Sequence, residues 1–373
     1  MPVDLSLTPD QELIRNTARD YIEKQVPLPK VKEIDDSETG FSPEVWKQAV
    51  ELGWTGICVP QEYGGIGGSL TDTAVLYEEM GRGALHTPHH SSCVLCAQII
   101  LGGGSDAQKK DLLEGIVSGK RIVALAYTED NYGWEPQGIE TNARQAGEDF
   151  VLSGVKSYIP DANIATDLIV AAKTGSGLTL FLVDPKSKGI SLQILHGFVG
   201  ERLSRLTFDN VRVSKSSVIG AVGKGWQVLE PAFDNATAVL SAYMVGAGQK
   251  AFEIAMGYTQ RRVQFGRPVA KFERVQDHLI DGLAAVDGAR WSAYEAVWAL
   301  ENNKKHAREA VSVAKAAASD AFYFVCEESH HCHGGIGCDR RYGLYLYTKK
   351  SRSLYHYLGD PAHHRKRLAD LLF

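Results

Sequence analysis

The sequence predicts an α+β multidomain fold in three parts. An N-terminal α-helical domain covers residues 1–121, a middle antiparallel β-barrel or sandwich covers 122–218, and a C-terminal antiparallel four-helix bundle covers 219–373. Three observations carry this. Apolar residues in the first third recur at helical spacing. From about Arg121 they shift to short β-rich runs with turn residues between them and no helix intervening. After Gly220 and Gly223 helical spacing returns and holds to the end. The 373-residue chain has room for more than one core, since single cores stop growing near ~250–300 residues.

The first helix starts at a capping box, Thr8-Pro9-Asp10-Gln11, with proline at the first helical position. Leu13, Ile14, Thr17, Ala18, Tyr21 and Ile22 then define one face. Ser42-Pro43-Glu44 opens a second helix, buried through Trp46, Ala49 and Val50. The Gly-rich stretch from Pro60 to Gly68 breaks it. That stretch lacks a preceding strand and a Gly-Lys-Ser/Thr ending, so it is not a phosphate loop. A helix from Thr71 to Gly81 carries Glu78 and Glu79, read as solvated or paired surface groups. Ser105 to Val117 forms another, with Gly119 as its C-cap.

The strand runs start at Ile122, Phe150, Leu168, Leu178, Ile190 and Arg205. Gly175-Ser-Gly177, Asp184-Pro185 and Asp209-Asn210 mark turns between them. In the last third, Leu279, Leu283, Val286, Arg290, Ala293, Val297 and Leu300 alternate at spacings of four and three. Ala310, Ala314, Ala317, Ala321 and Val325 supply small residues for close helix contact, as in an antiparallel bundle.

Composition is that of a globular chain, 44% hydrophobic and 23% charged. A net charge of −5 gives no electrostatic footprint for nucleic acid. No apolar run approaches the ~18–20 residues of a membrane span. Met1-Pro-Val-Asp-Leu-Ser6 has no basic segment leading into an apolar one, so a cytoplasmic location is expected. Six cysteines in so long a chain are no disulfide framework, and Cys93 and Cys96 read as small core residues.

One stretch concentrates chemistry: Tyr258-Thr-Gln-Arg-Arg262-Val-Gln264-Phe265-Gly266-Arg-Pro268. Gly266 and Pro268 are expected to stop a long small-residue helix, leaving Arg262, Gln264 and Phe265 at its C-terminus. A guanidinium there suits either a pyrophosphate or the negative end of the helix dipole, and the phenylalanine suits a flat ring.

The stretch resembles the Arg-x-x-Phe-Gly-x-Pro of the acyl-CoA dehydrogenase family. Further motifs stand in that family's order: Tyr127-Thr128-Glu129, Gly154-Val-Lys156-Ser-Tyr158-Ile159, Leu206-Thr-Phe-Asp-Asn-Val211, Ile219-Gly220-x-x-Gly223-x-Gly225-Trp226, Gln276 and His333-Gly334-Gly335-Ile-Gly337. The resemblance covers essentially the whole chain. It implies FAD, placed between the middle domain and the bundle. It also implies an acyl-CoA substrate desaturated at Cα–Cβ, an electron-transfer flavoprotein as electron acceptor, and a homo- or hetero-oligomer.

By the same resemblance Tyr127, Thr128, Tyr158 and Ile159 serve the flavin ring. Thr128 matches the family's Thr-Glu-Pro-Gly, and Tyr158 the tryptophan of its Trp-Ile-Thr. Arg262, Gln264, Phe265, His331, Gly334 and Gly335 serve the FAD of a partner subunit. His331 replaces the glutamine of Gln-x-x-Gly-Gly, and the run His330-His331-Cys332-His333 is accordingly not read as a metal site.

Three departures stand out. Pro160 replaces the threonine of Trp-Ile-Thr and removes a hydroxyl and an N–H. Tyr132-Gly133-Trp134 puts rings where the family has glycines, either narrowing an acyl pocket or lining it for a large apolar group. Both usual positions of the catalytic carboxylate lack one. Leu358 stands at the first and Ala236 at the second, and Thr237 replaces an arginine usual beside it. Asp360 is the nearest acid, and Leu358-Gly359-Asp360-Pro361 resembles a Gly-Asp variant of bacterial steroid-type, heteromeric acyl-CoA dehydrogenase subunits. Asp360 is equally a turn opener. The chain is therefore expected either to use Asp360 as base or to be a catalytically silent subunit completing a homologue's flavin site. A flavin oxidase or monooxygenase on the same fold is the third reading.

Overall fold

The computed structural model describes residues 6–195 and 202–373. The reading of residues 1–5 lies outside them. In chain order the helices of the first third are α1 (Pro9–Gln25), α2 (Leu28–Asp36), α3 (Pro43–Glu51), α4 (Leu70–Arg82), α5 (Ala97–Gly103) and α6 (Asp106–Val117). Then come β1 (Val123–Ala126), β2 (Asn142–Ala146), β3 (Asp149–Pro160), β4 (Asp167–Thr174), β5 (Gly177–Val183), β6 (Ile190–Leu195), β7 (Leu203–Val213) and β8 (Val218–Ile219). The 37-residue helix α7 (Gly225–Arg261) leads to a short hairpin, β9 (Val263–Gln264) and β10 (Arg267–Pro268). Helices α8 (Glu273–Glu301), α9 (Ala307–His333), α10 (Leu344–His356) and α11 (Pro361–Leu372) follow. Helices, then a sheet, then a helical bundle is the predicted order. Among the described residues no helix is long and apolar enough to cross a membrane.

The chain forms two compact units, one from Ile34–Gly68 and Thr87–Ala236, the other from the remaining residues. The first holds the sheet, ordered β6-β7-β3-β2-β4-β5-β8, with β1 paired to β4. Most neighbours are antiparallel, as expected, but β1 runs parallel to β4. Its four residues, Val123–Ala126, are all buried, which suits a strand covered on both faces. The core is built on Leu152, Leu168, Val170, Leu206 and the edge-on pair Phe150 and Phe181, 5.2 Å between ring centres.

Polar strand β2 has no apolar run to announce it. It is held by the ladder to β3. Cys93 and Cys96 lie fully buried in a π-helical stretch, His89–Cys96, as small core residues.

That stretch also buries His89, whose Nε2–H donates to the Trp54 carbonyl at 2.8 Å. Burial pushes its pKa down from 6.5 to about 4. Between those values the unfolded chain binds the proton and the fold does not. The stability this contributes is therefore complete above pH 6.5 and lost as pH falls toward 4, on the order of 3 kcal/mol. His89→Gln keeps a donor for Trp54 and cannot become charged. Its melting temperature is expected to fall less than that of the wild type between pH 6.5 and 4. Parallel curves would refute the assignment.

In the second unit α1 packs along α4. Arg19 grips Glu79 with both ends of its guanidinium, at 2.9 and 2.6 Å. Glu79 is only 3% exposed, and Glu78 is taken by Arg290 and Tyr294. The pair is therefore bound into helix contacts, not solvated. Leu13 falls off the apolar face and is exposed, while Ala18 and Ile22 are buried. Helices α8 and α9 run antiparallel. His278 meets Glu328 at one end, and His306 meets Glu295 at 2.9 Å toward the other.

Candidate active site

In the sheet unit, β1 runs straight into Tyr127, Thr128 and Glu129, and β3 carries their partners. Thr128 and Ser157 exchange hydrogen bonds: the Ser157 N–H donates to the Thr128 carbonyl at 2.9 Å, and the Thr128 hydroxyl donates to the Ser157 carbonyl at 2.7 Å. Glu129 lies behind them. It accepts the amides of Glu140 (2.7 Å) and Thr141 (2.9 Å) and the ammonium of Lys156 (2.7 Å), which also donates to the Tyr127 carbonyl at 2.9 Å. Lys156 is fully buried. Burial drives its pKa down to about 8 against the pull of Glu129. Burial alone would raise the Glu129 carboxyl, but Lys156 holds it below its ordinary value.

Just beyond Lys156 the register of β3 against β7 slips, and Tyr158 adopts φ +62°. This bulge turns the Tyr158 ring outward, 38% exposed, while Ile159 returns to the core at 1%. Tyr132, also at positive φ, sets its ring edge against Tyr158, 5.3 Å between centres. Trp134 stacks on Tyr127 at 6.0 Å, and the Tyr127 hydroxyl donates to the Trp134 carbonyl. Phe233 closes edge-on against both rings. The rings noted in the sequence are thus a packed wall and not a loose loop. Ala236, on α7, is fully buried, and its carbonyl is 3.0 Å from His90 Nε2.

In the other unit α7 ends at Arg261. Arg262, Gln264 and Phe265 do not simply project from a helix end. Val263–Gln264 and Arg267–Pro268 pair as a two-residue hairpin with Phe265 (φ +53°) and Gly266 (φ +77°) at its tip. Two consecutive positive φ values are what such a turn needs, and glycine takes the second readily. The Phe265 ring is 92% exposed. Gln264 turns back on the Val263 carbonyl. Among the described residues no carboxylate pairs with the Arg262 guanidinium.

His331 lies on the last turn of α9, its Nδ1 3.4 Å from Glu328 Oε1. His278, Glu328 and His331 bring three possible ligand atoms within 4.8 Å of one another, with Glu328 Oε2 in contact with His278 Nδ1. Gly334 and Gly335 follow. Among the described residues nothing lies within 4 Å of a Cβ built on Gly335.

Asp360 caps α11, its Oδ1 accepting the His363 N–H at 2.8 Å. Its Oδ2 is 3.8 Å from His356 Nδ1. Leu358 is 4% exposed, at φ +58°.

Family models for the acyl-CoA dehydrogenase N-terminal, middle and C-terminal domains match residues 8–120, 124–211 and 223–373. The chain is 30% identical over 351 residues to the 3-(aryl)acrylate reductase of Clostridium sporogenes (strain ATCC 15579), covering 90% of this chain and 91% of that protein. The chain belongs to the acyl-CoA dehydrogenase family. It is also 29% identical over 341 residues to the caffeyl-CoA reductase-Etf complex subunit CarC of Acetobacterium woodii, covering 89% of each. Among solved structures it superposes on butyryl-CoA dehydrogenase from Megasphaera elsdenii with a TM-score of 0.92, at 26% identity over 99% of this chain and 100% of that one.

Acyl-CoA dehydrogenases are FAD-dependent, and the residues present fit that group. Among the described residues no carboxylate pairs with the Arg262 guanidinium, and the Gly334–Gly335 backbone is open to close approach. Sequence reasoning passed over the Glu129–Lys156 contact, and over Lys315 and His364. A lysine inside Val313-Ala-Lys315-Ala-Ala, on a buried small-residue stripe, was a readable signal.

Proposed function

We propose that this chain dehydrogenates a CoA thioester at Cα–Cβ and passes the electrons to an electron-transfer flavoprotein, as a homo- or hetero-oligomer. The observation that carries this is the Arg262 guanidinium, which no carboxylate of the described residues pairs, beside a hairpin whose tip presents Phe265. FAD, when bound, supplies the two-electron acceptor. Arg262 would give the pyrophosphate of a partner subunit's FAD a charge-assisted donor, and the Gly334–Gly335 backbone would let it approach. Thr128 and the Tyr158 ring would meet the polar edge and the flat face of this chain's own flavin. The Cα proton goes to Asp360 at Oδ2, since Oδ1 is engaged as the helix cap.

Arg262→Gln is expected to lower flavin content at least tenfold after gel filtration without unfolding the protein. Unchanged FAD content and unchanged oligomeric state would sink this role.

We place the acyl group in the ring-bearing class, like that of the steroid-type subunits. The packed ring wall supports this, as does the aryl substrate in the name of the 3-(aryl)acrylate reductase. Anaerobic titration of the purified protein tests the whole reading. Bleaching of the flavin by aryl or polycyclic acyl-CoAs, in preference to butyryl-CoA, is the expected result. Turnover confined to short straight chains would remove the ring-bearing assignment.

A second reading is favoured by one observation: Leu358 and Ala236 are buried apolar residues at both usual base positions. In it the chain is a silent subunit completing a homologue's flavin site. Protein that gains flavin and activity only when co-expressed with a homologue supports it. Oxygen uptake dependent on a flavin reductase would instead mark an oxidase or monooxygenase.

A further inference from the structure

The turn joining α10 to α11 is locked from two sides. Lys315, on α9, is fully buried, and its ammonium donates to three carbonyls: Leu354 and Tyr355 at 3.2 Å and Gly359 at 2.9 Å. Its remaining contact is the Ser319 hydroxyl at 2.8 Å. The first two carbonyls belong to the last turn of α10, which has no helical donors left for them. A cation at that helix end also meets the negative pole of its dipole.

From the opposite side His364, on α11 and 2% exposed, holds the Leu358 carbonyl through Nε2 at 2.8 Å. A carbonyl only accepts, so this bond fixes the proton on Nε2 and leaves Nδ1 bare, with no partner. Between the two clamps lie consecutive left-handed residues, Leu358 at φ +58° and Gly359 at φ +95°. A branched side chain rarely adopts that conformation unless its surroundings impose it. At Gly359 a Cβ would come within 2.5 Å of His363 Cδ2 and 2.9 Å of His364 Nε2.

We propose that Lys315 and His364 are positioning residues that hold the Leu358–Gly359 turn left-handed, and so fix where Asp360 and the Leu358 side chain stand against the acyl thioester. The clamp needs no assumption about which group is the base. Its effect on turnover rests on the function proposed above. The conformation itself belongs to the protein whether or not it turns over substrate.

The test compares His364→Leu, which fills the space without a donor, with His364→Gln, whose amide nitrogen stands in for Nε2. Amide hydrogen exchange across residues 357–360 is read in the flavin-loaded protein. Exchange at least tenfold faster in His364→Leu and near wild type in His364→Gln is expected. In turnover, kcat should fall at least tenfold in His364→Leu with KM changed less than twofold, and His364→Gln should restore it.

If both variants exchange like the wild type, or both exchange equally fast, the clamp is overturned. If exchange separates them while wild-type protein and both variants show no turnover, the clamp stands and the catalytic reading falls. Should His364→Leu fail to fold, Lys315→Met takes its place: it removes the donors to Gly359, Leu354 and Tyr355, and the same acceleration is required of it.

Discussion

Lys156→Met is expected to cost about 3–5 kcal/mol of stability and to lower bound FAD. Lys156 has no exposed surface, and its ammonium joins the Tyr127 carbonyl to the Glu129 carboxylate. Methionine keeps the packing of the stem and removes the charge. Glu129 is then left 6% exposed with only the amides of Glu140 and Thr141. A buried pair adds little net stability, but breaking it leaves an uncompensated charge. The strand end that pairs Thr128 with Ser157 is tied down by the same contacts. The double variant Lys156→Met, Glu129→Gln removes both charges and should recover much of the loss, a coupling that two independent sites would not show. Urea midpoints and bound FAD measure both effects. A single variant within 1 kcal/mol of wild type, or a double variant showing the plain sum, would contradict the account.

The parts of the fold visible in the sequence are those written as periodicity. The alternating spacing from Leu279 to Leu300 is α8, and the alanine stripe from Ala310 to Val325 is α9. The strand runs at Phe150, Leu168 and Leu178 are β3, β4 and β5. What periodicity cannot show is pairing. Polar β2 exists because β3 offers it a ladder, and β1 pairs in parallel because both its faces are covered.

The site follows the same division. The left-handed turn at Phe265–Gly266 could be read as a stop, but its hairpin form depends on Arg267 facing Gln264 across the ladder. Tyr158 was marked by its place after Lys156 and Ser157. The bulge that exposes its ring is set by the slipped register with β7. Lys315 and His364 act on carbonyls of Leu354, Tyr355, Leu358 and Gly359, and backbone acceptors leave no mark in a sequence. Leu13, on a good helical face, is exposed because burial on α1 falls to Ala18 and Ile22.

Asp360→Asn is expected to slow flavin reduction by acyl-CoA at least a hundredfold, about 2.7 kcal/mol of barrier, while FAD stays bound. The substitution separates the two roles of this side chain. As the cap of α11, Asp360 accepts the His363 amide through Oδ1, and asparagine caps a helix about as well. Stability and the turn are thereby retained. As a base, Oδ2 must take a proton from Cα, and an amide cannot. A chain that needs Asp360 only as a cap shows wild-type bleaching in the variant. A chain that uses it as the base shows slow bleaching at unchanged melting temperature and unchanged FAD content. The measurement is made on the best-assembled form, alone or with a co-expressed homologue. In a heteromer the result also locates the working site. A large loss from Asp360→Asn in this chain places the chemistry here. Bleaching at the wild-type rate assigns it to the partner and leaves this chain the silent half of the pair.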